Sequence, residues 1–296
     1  MTTSEVSDGR VLLDVEPDKR IATITLNNPK RRNSYDAAMR DSLARHLDRV
    51  AEDDDLTVVL LRGADGVFST GADMNNAYGW YDPGEGGTGA KSRPSQRRRL
   101  TVDRKSFSFY HNLMGFPKVT VGEISGYALG GGFEMALMTD ISVIARDTKI
   151  GMPATRFLGP ALGSLHMFFH RLGPVMARRL LLTGDVIEAS AVEHLGIFTE
   201  TCDAEAVAPR ARYWAEKAAK MPADGVVIAK EAFRLVEQGQ VYQGEEVASY
   251  LFHAFGTNLE FAPGEFNFVK TRAQVGTKEA FRLRDEHFHV PEPEGR

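Results

Sequence analysis

A single cysteine, Cys202, stands among 296 residues. One thiol can form neither an internal disulfide nor a cysteine-built zinc site, which fits a reducing compartment. No apolar run approaches the roughly 18–20 residues that cross a bilayer. The opening stretch "MTTSEVSDGR" is polar and lacks the apolar segment of a signal peptide. Charge of one sign is also scarce. A net charge of −4 gives no electrostatic reason to hold nucleic acid or an anionic lipid surface. What remains is an ordinary globular composition, 43 % hydrophobic and 26 % charged, long enough for one large domain or two moderate ones. A soluble, cytoplasmic protein without a membrane partner is the expectation.

The apolar pattern predicts an α/β protein. "RVLLDVEPDKRIATITLNNP" reads as two strands joined at Pro17-Asp18, with Ile21, Thr23 and Thr25 alternating with Ala22, Ile24 and Leu26. Met39, Leu43, Leu47 and Val50 recur at helical spacing. "LTVVLLRG", "KVTVGEISG" and "DISVIARD" are continuous apolar runs, as expected of strands covered on both faces. Helical segments separate them, the alternation of an α/β fold. Residues 76–106 break the rhythm, glycine-rich and then basic, and predict a long surface loop leading into a helix near Arg97–Met114. Beyond Pro160 the chain reads as helical. Its end carries Tyr250, Phe252, Phe255, Phe261, Phe266, Phe268, Phe281 and Phe288, an apolar face that needs cover from this chain or another subunit. No internal repeat is visible.

The chemistry concentrates in "ISGYALGGGFEMALMTD". Gly130, Gly131 and Gly132 follow a buried strand and open a helix, where unpaired N–H groups and the helix dipole favour a negative oxygen. Glu134 falls in the first turn of that helix. A tight strand–helix turn with a dipole-favoured glutamate is the plain alternative. A phosphate loop is excluded, because neither Lys-Ser/Thr nor the Gly-x-Gly-x-x-Gly spacing is present. "FSTGADM", directly after the strand "LTVVLLRG", supplies a second small-residue turn and a second N–H for the same oxygen.

With "LNNPKRRNSYDAAM", "IGMPATRFLGPALG" and "RRLLLTGDVIEASAVEHLGIFTE", these motifs stand in an order that resembles the crotonase, or enoyl-CoA hydratase/isomerase, superfamily over roughly Val11 to Phe288. The resemblance implies an α/β spiral of repeated ββα units (the ClpP/crotonase-like fold) with a helical C-terminal region. It places the core at 1–205, with the insertion 76–106, and a trimerisation region at 206–296. It implies acyl-CoA thioester chemistry through an enolate whose oxygen is held by the N–H groups of Ala72 and Gly131, with Glu134 as acid/base. Asp73 caps the turn after Ala72. Met74, Gly130 and Ala154 line the substrate site. Lys30, Arg31 and Arg32 suit the phosphates of coenzyme A, which comes with the substrate, so no separate cofactor and no metal is expected. A homotrimer or hexamer is implied.

One departure matters. The second family glutamate falls at Ala154, or at Thr155 after a one-residue shift, and no Asp or Glu occurs from Thr148 to Gly184. Slow hydration of a short straight-chain enoyl-CoA is therefore expected. His166 is a candidate replacement, four residues before His170, and His111 a weaker one. Tyr78, Trp80 and Tyr81 are candidates to cover the acyl group. Arg97, Arg98 and Arg99 read as a solvated basic run; without interleaved aromatics they give little support to nucleic-acid binding. Hydratase/isomerase activity is the leading reading. A hydrolase, C–C lyase or decarboxylase of the same fold stays open, as does a non-catalytic acyl-CoA or RNA binder.

Overall fold

The computed structural model describes residues 9–76, 81, 94–161, 163–256 and 259–291. β1 (Val11–Glu16) and β2 (Ile21–Leu26) pair antiparallel across a turn at Pro17–Lys19. In α1 (Ala37–Glu52), Asp36 caps the first turn by accepting the Met39 N–H at 3.0 Å, and Met39, Leu43, Leu47 and Val50 form the buried stripe. The chain continues through β3 (Val58–Gly63), α2 (Gln96–Met114), β4 (Val119–Ile124), β5 (Tyr127–Leu129), α3 (Gly131–Met138), β6 (Ile141–Ala145) and β7 (Lys149–Gly151). Then come α4 (Thr155–Leu158), α5 (Leu165–Thr183), β8 (Val186–Glu188) and β9 (Glu200–Cys202).

Six strands form one sheet in the order β1-β2-β3-β4-β6-β9, parallel from β2 onward, and β5-β7-β8 form a smaller one. The backbone repeats one path: β4 in the large sheet, β5 in the small, then α3; and β6, β7, then α4. After β3 the chain touches the small sheet through the bridge Ser69–Ala128 before entering α2. This is the expected spiral of ββα units. The repeat is invisible in the sequence because it is a path of the backbone, not a residue pattern.

Both faces of the large sheet are covered. Ile21, Val58, Leu60, Val121 and Val143 pack beneath Val207, Ala211 and Ala215 of α6 (Ala204–Ala219). Their neighbours Ala22, Ile24, Leu26, Val59, Leu61 and Ile144 join the main core with α1 and α3. For that reason β2 is buried along its whole length, Thr23 and Thr25 included, where simple alternation predicts one open face.

The expected helix after Ser164 is broken at Gly173, φ +68°, just before Pro174. α7 (Ala223–Glu237) leads through a π-turn at Gln238–Tyr242 into α8 (Gln243–Gly256), which packs along α2 and α5. α9 (Phe268–Val275) and α10 (Thr277–His287) close over α4. There the Phe268 ring stacks on Phe157 at 4.9 Å, with Phe281 4.9 Å away. This part of the aromatic tail is thus covered by its own chain. Among the described residues, no helix is long and apolar enough to cross a membrane.

Candidate active site

The two small-residue turns meet. Past β3, Phe68 and Ser69 donate to the Ser125 and Tyr127 carbonyls at 2.9 Å, and Leu129 donates back to Ser69 at 3.0 Å. The buried Ser69 hydroxyl donates to the Asn33 carbonyl at 2.8 Å and accepts the Gly71 N–H at 3.1 Å, which fixes the bend. Tyr35 holds the next residue from the other side: its N–H donates to Gly71 O at 2.9 Å and its carbonyl accepts the Asp73 N–H at 2.8 Å. In such a parallel bridge the intervening residue, Ala72, turns its own N–H to the opposite edge.

The three glycines serve separate ends. Gly130 has φ +55° and ψ −127°, a conformation that favours glycine, and it accepts the first N–H bonds of α3 from Phe133 and Glu134. A methyl group on Gly132 would strike the Ser69 carbonyl. One on Gly131 would strike the Tyr35 and Tyr110 hydroxyls. The α-carbon of Gly71 approaches so closely that an added Cβ would stand 2.8 Å from the Gly131 nitrogen. Neither the Ala72 nor the Gly131 N–H has an acceptor among the described residues. Two unpaired donors on touching turns can bind one anionic oxygen.

Glu134 stands in the first turn of α3, only 5 % exposed. Its Oε1 accepts the Ser164 N–H at 2.8 Å, and the bare α-carbon of Gly163 lies against the carboxylate. Burial pushes its pKa up, the Ser164 N–H pulls it part of the way back, and a proton on the nearby His253 would act in the same downward sense. The Tyr35 and Tyr110 hydroxyls hydrogen-bond to each other beside it. Burial, with the Glu134 charge, pushes the Tyr35 hydroxyl well above the ordinary phenol range.

A second buried carboxyl is present, from a segment that the sequence reading passed over. Glu245 of α8 is fully buried, and its Oε1 accepts the Met167 N–H at 2.9 Å from 78 residues away. Its Oε2 has no partner among the described residues. Burial is the main cause that lifts its pKa to about 8; the Met167 N–H opposes the rise and the Glu134 charge adds to it. Glu134 and Glu245 therefore both sit on the N-terminal turn of α5, which favours negative charge. The absence of acid between Thr148 and Gly184 is real, but it leaves Glu134 in acidic company.

The other candidates are dispersed. Ala154 and Met74 share an apolar wall with Phe157, Leu158 and Phe268, and the Met74 carbonyl accepts from Arg272. Asp73 accepts the Asn75 N–H at 2.9 Å and pairs with Arg31 at 3.0 Å. Arg32 lies over the Tyr127 ring at 4.8 Å, while Lys30 is exposed. His166 packs against Gly244 of α8, with its Nδ1 buried and without a hydrogen-bond partner among the described residues, and His170 faces Glu237 at 3.2 Å. His111 meets the Ser249 hydroxyl at 3.3 Å. Tyr78 and Trp80 lie outside the described residues. The basic run is only partly solvated: Arg99 is buried and its guanidinium lies over the Tyr81 ring at 5.5 Å. A groove lined by Leu47, Phe109, His111 and Tyr242 is separate from the two turns. Tyr35, Tyr110, Asp103, Glu245 and His253 were not candidates from sequence. The signal for two of them was there, since Glu245, Ser249 and His253 recur every four residues on one helix face.

A family profile for enoyl-CoA hydratase/isomerase matches residues 16–277. A probable enoyl-CoA hydratase of Mycobacterium tuberculosis is 27 % identical over 261 residues, 88 % of this chain and 95 % of the relative. The 1,2-epoxyphenylacetyl-CoA isomerase of Escherichia coli is 30 % identical over 257 residues, 86 % of this chain and 94 % of the relative. The crystal structure of an enoyl-CoA hydratase from Mycobacterium smegmatis superposes with a TM-score of 0.79 at 27 % identity, covering 94 % of this chain and 93 % of that one.

Proposed function

Because this chain belongs to the enoyl-CoA hydratase/isomerase family, we propose that it is an enzyme that transforms an acyl-CoA thioester through an enolate. The Ala72 and Gly131 N–H groups hold the thioester oxygen, and Glu134 moves the proton. The observation that carries this reading is the pair of unpaired N–H groups on touching turns, with a buried carboxyl one helical turn beyond Gly131. Charge that develops on an oxygen there meets donors already in place, which is the largest single contribution in many enzymes. Coenzyme A arrives with the substrate, and no further cofactor enters the reading. Arg31 and Arg32 sit at the rim of the Ala72 turn, and with the exposed Lys30 they offer cations to its phosphates.

The relatives named above are a hydratase and an isomerase. Both reactions use an oxyanion site and a proton-carrying carboxyl, and hydration also needs a second acid–base group to split the water. The test is turnover of a panel of saturated and unsaturated acyl-CoA thioesters by the wild-type protein and by Glu134→Gln. Turnover of at least one thioester, lost in the variant while binding persists, supports an enzyme. Binding of thioesters without turnover of any favours a non-catalytic acyl-CoA binder.

A further inference from the structure

On α8, Glu245, Ser249 and His253 form one inward face, Glu245 turned toward α5 and the other two toward α2, where an apolar stripe would be the ordinary solution. Facing them on α2 are Asp103, Phe107, Tyr110 and His111. At the end of this polar seam, His253 Nδ1 stands 3.2 Å from Asp103 Oδ1. Asp103 is buried, and the same oxygen accepts the Tyr81 hydroxyl at 2.7 Å. The Phe107 ring packs edge-on against the imidazole at 5.4 Å. The seam is no remote strut. Tyr110, on the same face of α2, reaches Tyr35 over Gly131, and Gly256, one turn beyond His253, packs on the Leu158 carbonyl just past Ala154.

We propose that His253, oriented by Asp103, is the second acid–base group of this site, in the role that a carboxylate at Ala154 would otherwise fill. The proposal rests on the reading of the site as one that forms a thioester enolate. Asp103 Oδ1 stands beside Nδ1 as its charge partner, at ion-pair distance but outside hydrogen-bond geometry, and we assign Nε2, on the far side of the ring, as the nitrogen that takes a proton, as in a carboxylate–imidazole pair. Glu245 is closer in chemistry to the absent glutamate. It is nonetheless fully buried and tied to the Met167 N–H, whereas the His253 side chain keeps 24 % of its surface exposed. Besides Tyr81 on Asp103 and Tyr110 along the seam, the charged or titratable groups around this centre include Glu134, Glu245, His166, His111 and Tyr35.

For hydration of an enoyl thioester the protons balance as follows. Neutral His253 takes a proton from water as the water oxygen bonds to C3. The C2=C3 pair moves toward the thioester oxygen, held by Ala72 and Gly131. As that pair returns, the protonated Glu134 carboxyl gives its proton to C2. After product leaves, the proton passes from the imidazolium to Glu134 through solvent. Burial keeps Glu134 protonated more readily than an exposed glutamate, which suits the acid role.

The test uses the full-length protein and crotonyl-CoA hydration, with exchange of the C2 protons of butyryl-CoA in D₂O as the gauge of enolate formation. His253→Gln is expected to lower kcat for hydration by about 100-fold or more, with butyryl-CoA affinity within about threefold. Asp103→Asn is expected to lower it by about tenfold and to displace one limb of the pH–rate profile. A purely structural tie between α2 and α8 would scale the profile without moving it, and would lower melting temperature instead. Should His253→Gln fold poorly, the displaced limb in Asp103→Asn still decides. Hydration by His253→Gln within threefold of wild type, with Glu134→Gln inactive, overturns the role of His253 alone. No C2 exchange and no hydration by the wild-type protein overturns the enolate reading, and this inference with it.

Discussion

Glu134 lies where two opposing influences meet. Its carboxyl is buried, which favours the neutral form, and it faces the N-terminal turn of α5, which favours the anion. Glu134→Gln keeps the shape and removes the proton. The expected result is a fall in kcat of roughly 100- to 10,000-fold with little change in thioester affinity, read by steady-state kinetics and calorimetry. Glu245 leads to a different expectation, about stability. Its pKa is raised to about 8 in the folded protein. Between its ordinary value and about pH 8 the folded chain therefore holds a proton that the unfolded chain has lost. This stability is full below the unfolded value and is lost as pH rises through about 8, at about 1.4 kcal/mol for each unit of separation. Melting curves should show Glu245→Gln gaining on wild type as pH climbs from 5 to 9. Parallel curves at every pH would contradict the raised pKa.

At the scale of elements, the parts legible in the sequence were those set by local pattern. The runs at Val58–Gly63, Val119–Ile124 and Ile141–Ala145 are strands because each is covered on two faces, and continuous apolarity says so directly. The two turns were legible because only small residues let backbone N–H groups stand free there. The pairings were not legible. Tyr35 meets Tyr110 across 75 residues, and Glu245 meets the start of α5 across 78. Such contacts depend on how α2, α5 and α8 pack, and no local period encodes that. The aromatic tail was visible as apolar surface in need of cover, but its cover at Phe157 was not. Phe268 is the hinge of this cover, so Phe268→Ala should cost about 3–5 kcal/mol and loosen the wall shared by Met74 and Ala154. Hydrogen exchange should then rise over α9, α10 and α4. Unchanged protection there would show that the stacking contributes little.

For the molecule as a whole, α7 stands out among the described helices. It has no buried residue, and Ile228 and Val236 are 69 % and 79 % exposed, with Phe233 and Leu235 also open. An apolar helix face of this kind calls for another surface, and a second copy of the chain fits the expected trimer or hexamer. Native mass spectrometry should then give a threefold or sixfold multiple of the 32.7 kDa chain. Ile228→Glu with Leu235→Glu should reduce it to the monomer without loss of helix content. The central claim remains that the two turns hold a thioester oxygen as the C2–H bond breaks. Exchange of the C2 protons of butyryl-CoA in D₂O measures this most directly, because it needs no knowledge of the natural acyl group. The account predicts enzyme-dependent exchange by the wild-type protein, slowed by about 100-fold or more in Gly131→Pro, which loses the N–H. Binding of butyryl-CoA by the folded wild-type protein, with exchange no faster than solvent background, would contradict it.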